Sequence, residues 1–134
     1  MLFEFLIPKR PVSLQTRNRK NLQAWKQFVE AHARKNWTNL PVTNNLQLTL
    51  VYLCDNDPVD VDNIIKPIQD SLVGLIYDDD LLITDVESHR RPLNDIFDMT
   101  NMKKYPTLLV EGILLGKECV YVRISHAKLL EDYL

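Results

Sequence analysis

Apolar positions recur along the chain with two different periods, and the switches between them mark out the elements. Residues 2–7 (LFEFLI) form a strand-like run closed by Pro8 and Pro11, neither of which can donate to a β-ladder. From about Asn18 to Lys35 the period becomes helical. Leu22, Trp25, Val29 and His32 recur at three- and four-residue steps, while Arg19, Lys26, Gln27 and Arg34 take other faces. Asn36–Asn45, with Pro41 and several Asn and Thr, reads as a loop. Leu46–Leu53 starts as a period-two alternation and then turns apolar on both faces, the pattern of a strand entering a core.

A second helix is expected from near Asn63 to Gly74, burying Ile64, Ile65, Ile68 and Leu72. Pro67 is tolerated only near the first turn, which puts the N-cap at Asn63 or Ile64. Leu81–His89 reads as a strand, and Pro106–Leu115, with Pro early and Gly116 just after, reads as a helix. Val120, Val122 and Ile124 alternate with Cys119, Tyr121 and Arg123 as a last strand, and a short tail helix is expected from about Ala127. The order β-α-β-α-β-α-β predicts an α/β fold of the α+β type, one small mixed sheet packed against helices. No repeat, low-complexity tract or linker interrupts it, so residues 1–134 are expected to form a single domain.

Composition narrows the class. Apolar residues make up 46% and charged residues 25%, the balance of a globular protein and not of a disordered, collagen-like or disulfide-stapled chain. Apolar runs such as LQLTLVYL fall far short of the roughly 20 residues that span a bilayer. The opening LFEFLI lacks a basic flank and contains Glu4, unlike a signal peptide. Cys54 and Cys119 stand alone in strand-like contexts, which suits reduced core thiols of a cytoplasmic protein.

The net charge of −2 conceals an uneven distribution. Residues 1–40 carry eight Lys/Arg against Glu4 and Glu30, whereas residues 41–134 carry eight against sixteen Asp/Glu. Twelve of those sixteen acids lie between Asp55 and Asp98, facing only Lys66, Arg90 and Arg91. A basic first third joined to an acidic middle suggests one surface for anions and one for cations, although a solvated surface of uneven charge explains it as simply.

The chemistry concentrates in Asp60-Val61-Asp62-Asn63-Ile64-Ile65-Lys66. Asp60 and Asp62 are two residues apart at the mouth of a helix, so in extended geometry their carboxylates leave on one side. Lys66, four residues after Asp62, returns towards that side, and twelve to fourteen residues later comes Asp78-Asp79-Asp80, directly before a strand. Two carboxylates about 4 Å apart repel by about 4 kcal/mol at an effective dielectric of 20, and Lys66 alone cannot neutralise three. A divalent cation can, and oxygen donors suit Mg²⁺ or Mn²⁺ better than zinc. Metal-bound carboxylates beside a lysine are what phosphodiester hydrolysis requires. Taken singly, Asp62 or Asn63 could simply cap a helix and Asp78–Asp80 could line a solvated turn. A calcium loop starting at Asp55 fails, because its fifth, sixth and twelfth positions are Val59, Asp60 and Lys66.

The stretch DVDNIIKPIQDSLVGLIYDDDLLITDV resembles the RusA family of Holliday junction resolvases. It carries the family's D-x-D-N-x-x-K, then D-x-L, then an acid pair before a strand; PVSLQTRNRKNLQAWKQ and VYVRI are more weakly similar. The resemblance implies a Mg²⁺-dependent homodimeric endonuclease that acts on four-way DNA junctions, with Mn²⁺ as a substitute ion. By the same resemblance Asp60, Asp62 and Asp80 are metal-binding catalytic carboxylates and Lys66 is the catalytic lysine. Asp79 is either Asp80's neighbour or its stand-in as ligand, and Asn63 holds the helix start. Arg17, Arg19 and Lys20 match the family's basic N-terminal region and are expected to contact phosphates, with Arg90 and Arg91, beside His89, as a second contact. Trp37 is open as a base-stacking residue, whereas Trp25 falls on the buried stripe; Asp85 and Glu87 are candidates for an outer ligand or an exposed strand face. Two other classes fit the same residues: a non-catalytic DNA- or protein-binding module that keeps the fold, and a nucleotide phosphohydrolase.

Overall fold

Strands β1 (Phe3–Ile7), β2 (Leu46–Cys54), β3 (Ile83–Pro92) and β4 (Cys119–His126) alternate with helices α1 (Arg19–Arg34), α2 (Ile65–Ser71) and α3 (Thr107–Leu115). This is the architecture of the computed structural model, which describes residues 1–95 and 101–134. The strands form one mixed sheet in the order β1-β4-β2-β3, so the expected α+β class and element order are borne out. β4 pairs antiparallel with β1 and with β2, and β2 pairs parallel with β3. A parallel neighbour is out of reach of a tight hairpin, and the crossover through α2 supplies the connection. That crossover contains the whole acidic motif, which places it along the β2–β3 side of the sheet.

Period-two alternation gives the sheet two faces. On one, Ile7, Leu48, Leu50, Tyr52, Val122 and Ile124 join a core with Trp25, Val29 and Ala33 of α1 and with Ile64, Ile68 and Leu72 in and around α2. On the other, α3 lies so close that a Cβ on Gly112 would stand 3.1 Å from both Cys119 Sγ and Leu6 Cδ1. Asn18 starts α1: its backbone is extended and its side chain accepts from the Asn21 N–H at 3.1 Å. The buried stripe then runs Leu22, Trp25, Val29, Ala33. His32, expected on it, is half-buried, with Nδ1 3.0 Å from the Phe28 carbonyl. Trp37 is buried with its ring edge-on to Phe3, so it closes the core and is unavailable to a base. Cys54 and Cys119 are buried free thiols, and burial pushes Cys119 up to about 11.

Three boundaries differ from expectation. α2 ends at Ser71, short of Gly74, where the Leu72 and Val73 N–H groups turn to the Gln69 and Asp70 carbonyls three residues back and the Tyr77 hydroxyl donates to the Gln69 carbonyl at 2.5 Å. β3 begins at Ile83, after a 3₁₀ turn over Asp80–Leu82, and runs on through Arg90 and Arg91 to Pro92. The predicted tail helix is only a 3₁₀ turn over Leu130–Asp132, since so short a segment cannot offset helix nucleation. No helix of the described residues is long and apolar enough to cross a membrane.

Candidate active site

The chain leaving β2 is irregular from Asp55 to Asp60, and side chains and backbone of other segments fix its course. The Asn63 N–H donates to the Asp60 carbonyl at 3.0 Å, closing the turn that leads into α2. From β3, Ser88 Oγ donates to the Val61 carbonyl at 2.9 Å and the Arg90 guanidinium to the Val59 carbonyl at 3.2 Å. From the N-terminal segment, the Leu14 N–H donates to the Asn63 carbonyl at 3.0 Å. The backbone on both sides of Asp60 is thus held, while the Asp60 and Asp62 side chains are exposed. Neither Asp62 nor Asn63 caps α2; Ile64 is its N-cap, with no side-chain bond, and Pro67 sits in the tolerated first turn.

The second acidic group returns to α2 through a turn that needs glycine. Gly74 has φ of 81°, a left-handed conformation, and its N–H donates to the Tyr77 carbonyl at 2.7 Å. Tyr77 is fully buried, and the Gln69 carboxamide donates to the Asp80 carbonyl at 3.2 Å, which anchors the end of the turn. Asp79 and Asp80 then diverge. Asp79 caps the 3₁₀ turn by accepting from the Leu81 N–H at 2.9 Å, whereas Asp80 meets the Lys66 ammonium at 2.5 Å. Lys66 also lies 3.0 Å from Asp70, and Asp70 lies 3.7 Å from Lys26 of α1. The result is a row of alternating charge, Lys26–Asp70–Lys66–Asp80, ending beside the first turn of α2.

This pairing perturbs both groups. The Asp80 hydrogen bond, then that of Asp70, raises the Lys66 ammonium above its ordinary value, and the Lys66 hydrogen bond lowers Asp80. A lowered carboxylate contributes stability that is complete above its unfolded pKa of about 3.9 and is lost as pH falls through the lower folded value. A raised lysine contributes stability that is complete below its unfolded pKa of about 10.4 and is lost as pH rises through the higher folded value. Both contributions therefore persist across neutral pH. Lys66→Met is expected to flatten the fall of melting temperature below about pH 4, measured by thermal unfolding from pH 7 to pH 3. An acid limb as steep as that of the wild type would contradict this.

Among the described residues, no three or more His, Cys, Asp or Glu side chains stand together as a ready metal site. Asp80 is turned to the Lys66 ammonium instead, while Asp60 and Asp62 are exposed. The donor chemistry of Asp60, Asp62 and Asp80 still fits a hard divalent cation, being entirely carboxylate oxygen, and the motif's own Lys66 is in contact with Asp80.

Arg17, Arg19 and Lys20 are exposed on the turn before α1 and on its first turn. The Leu14–Asn63 bond joins that segment to the acidic motif. Arg90 and Arg91 do not share a surface. Adjacent residues of a strand point to opposite faces, and β3 turns Arg90 towards Val59 but Arg91, with His89, towards α3. There His89 and Arg91 line a cavity of about 180 Å³ with Val51, Leu53, Tyr105, Leu109 and Ile113. Asp85 and Glu87 pair in register with Gln47 and Thr49 and share the face of Arg91, away from the motif. The D-x-L of the motif begins at Asp70, yet sequence reading assigned it no role, although its spacing of four from Lys66 is a legible helix pair. It had no signal for Gln69, Ser88 or Lys26, whose roles arise through tertiary contacts.

Fold and site together define a small α+β domain with carboxylates and a lysine on a β-α-β crossover, joined to a basic segment suited to a polyanion. A family model described as endodeoxyribonuclease RusA matches residues 9–95, well over half of the chain, and the chain belongs to that family. Membership makes it a nuclease of the kind that resolves Holliday junctions. The matched region takes in Arg17–Lys20, the whole Asp60–Lys66 motif, Asp80 and Arg90. No individual curated protein matches the chain.

Proposed function

We propose that this nuclease cuts four-way DNA junctions with Mg²⁺ held by Asp60, Asp62 and Asp80, and with Lys66 as the cationic partner of the scissile phosphate. The observation that carries the reading is the contact between Lys66 and Asp80, fourteen residues apart, which ties the motif's lysine to the second acidic group. A divalent ion bound there supplies Lewis acidity and a water of lowered pKa; Mn²⁺ shares the preference for oxygen donors and would substitute. Lys66, tethered by Asp70, presents its ammonium to a non-bridging phosphate oxygen. Asp79 keeps the entry to β3 in place through its cap. In-line attack by water forms a new P–O bond and breaks the bond to the 3′ oxygen, leaving a 5′-phosphate and a 3′-hydroxyl, with the proton lost by the water balancing the one the 3′ oxygen gains. Arg17, Arg19 and Lys20 bind flanking phosphates, and Arg90 adds its charge beside Val59. Two copies supply one site for each of two strands, so a cytoplasmic homodimer belongs to the proposal.

The reading is tested by incubating a labelled four-way junction with the protein in Mg²⁺ and in EDTA. Cleavage in Mg²⁺ that stops in EDTA is expected, and undiminished cutting in EDTA would overturn the metal-dependent mechanism. Junction binding without cutting in Mg²⁺ would instead assign the chain to a binding module.

A further inference from the structure

We infer that Glu118 and Arg10 are positioning residues that clamp the loop delivering Asp60 and Asp62; the inference rests on the nuclease reading above. Glu118 stands at the entry to β4 with its side chain only 12% exposed. Its carboxylate accepts from the Asp55 N–H at 2.7 Å, from the Tyr52 hydroxyl at 3.3 Å and from the Arg10 guanidinium at 3.1 Å. Burial, then the charge of Glu118, push Tyr52 up to about 12, so its hydroxyl stays a donor.

Arg10 follows β1 and reaches the same loop, its Nη1, which also binds Glu118, donating to the Asn56 carbonyl at 3.4 Å and its Nη2 to the Asp57 carbonyl. Three consecutive residues, Asp55, Asn56 and Asp57, therefore have a backbone group held by one ion pair. The held stretch includes Asp57, at φ of 50°, a left-handed turn that Asp tolerates better than most non-glycine residues and that changes the direction of the chain before Asp60. Asp60 follows three residues later. Without the clamp, the segment is free to relax at Asp57, and the Val59 and Val61 carbonyls alone would tie it to β3. Neither Arg10 nor Glu118 is within the motif, so they act through the loop and not on the phosphate.

The test uses the full chain with Glu118→Ala and Arg10→Lys. Two readouts are needed: amide hydrogen exchange of residues 55–63 without metal, and the Mg²⁺ concentration that gives half-maximal junction cleavage. In Glu118→Ala, exchange in 55–63 is expected to quicken about tenfold with the strand amides unchanged. The Mg²⁺ requirement should rise about tenfold, with the rate recovered in excess Mg²⁺, as for other supports of metal ligands. Arg10→Lys keeps the charge opposite Glu118 but cannot fork to two carbonyls, so it should move both readouts the same way by a few-fold. It also keeps the inference testable if Glu118→Ala fails to fold. Wild-type exchange and wild-type Mg²⁺ dependence in the folded variants would overturn the clamp. Asp60→Asn separates the two levels: if it cleaves like the wild type, the metal-site reading fails, and if it is dead while the clamp variants are unaffected, the clamp alone fails.

Discussion

Asp80→Asn is expected to slow Mg²⁺-dependent junction cleavage by about 10³-fold while junction binding in EDTA changes little. The substitution keeps the shape of the side chain and removes its charge. It weakens the site twice, because a carboxylate donor is lost and Lys66 is left to Asp70 alone at 3.0 Å. Single-turnover rates at saturating protein, with gel-shift affinities measured in parallel, separate chemistry from binding. The melting temperature at neutral pH should fall only modestly, by the same small ion-pair contribution whose loss flattens the acid limb in Lys66→Met, since the pair is partly exposed to solvent. The same substitution at Asp79 should cost less in rate, because its carboxylate is engaged with the Leu81 N–H. Equal losses at both positions would mean that the acid pair works as a unit.

Lys66→Met should slow cleavage by about 10²-fold, the usual cost of removing one preorganised charge from a developing anion. It differs from Asp80→Asn in its metal dependence. Removing the ammonium frees Asp80, so the Mg²⁺ requirement should not rise, whereas Asp80→Asn should raise it. Lys66→Arg should restore only part of the rate, because a planar guanidinium cannot place a point charge between Asp70 and Asp80 in the same way. A Lys66→Met protein as fast as the wild type would leave Lys66 as a counter-ion without a part in the chemistry.

Local signals in the sequence were read well. The helical stripe of α1, the alternation of β2 and β4 and the Pro–Gly bracket of α3 each rest on residues close together in the chain, and each element formed. The D-x-D-N-x-x-K motif was legible for the same reason, and so was the family. What escaped depends on contacts between distant residues. Whether Arg90 and Arg91 act together turns on where β3 ends; because it runs to Pro92, neighbouring side chains take opposite faces. α2 ends where a hydroxyl arrives from Tyr77 after the turn. Glu118 and Arg10, 108 residues apart, give no periodicity or spacing by which to notice them. Ala33 in place of His32 on the α1 stripe shows the limit even of local reading, since either step fits a helical period and packing decides.

Whether the acidic motif makes this chain a metal-dependent junction nuclease is decided by one comparison. A labelled four-way junction and a linear duplex of the same sequence are incubated with the protein in Mg²⁺ and in EDTA, and the products are mapped on both strands. Paired symmetric nicks are expected in the junction, with none in the duplex and none in EDTA. Equal cutting of the linear duplex, or tight junction binding with no cutting in Mg²⁺, would contradict it.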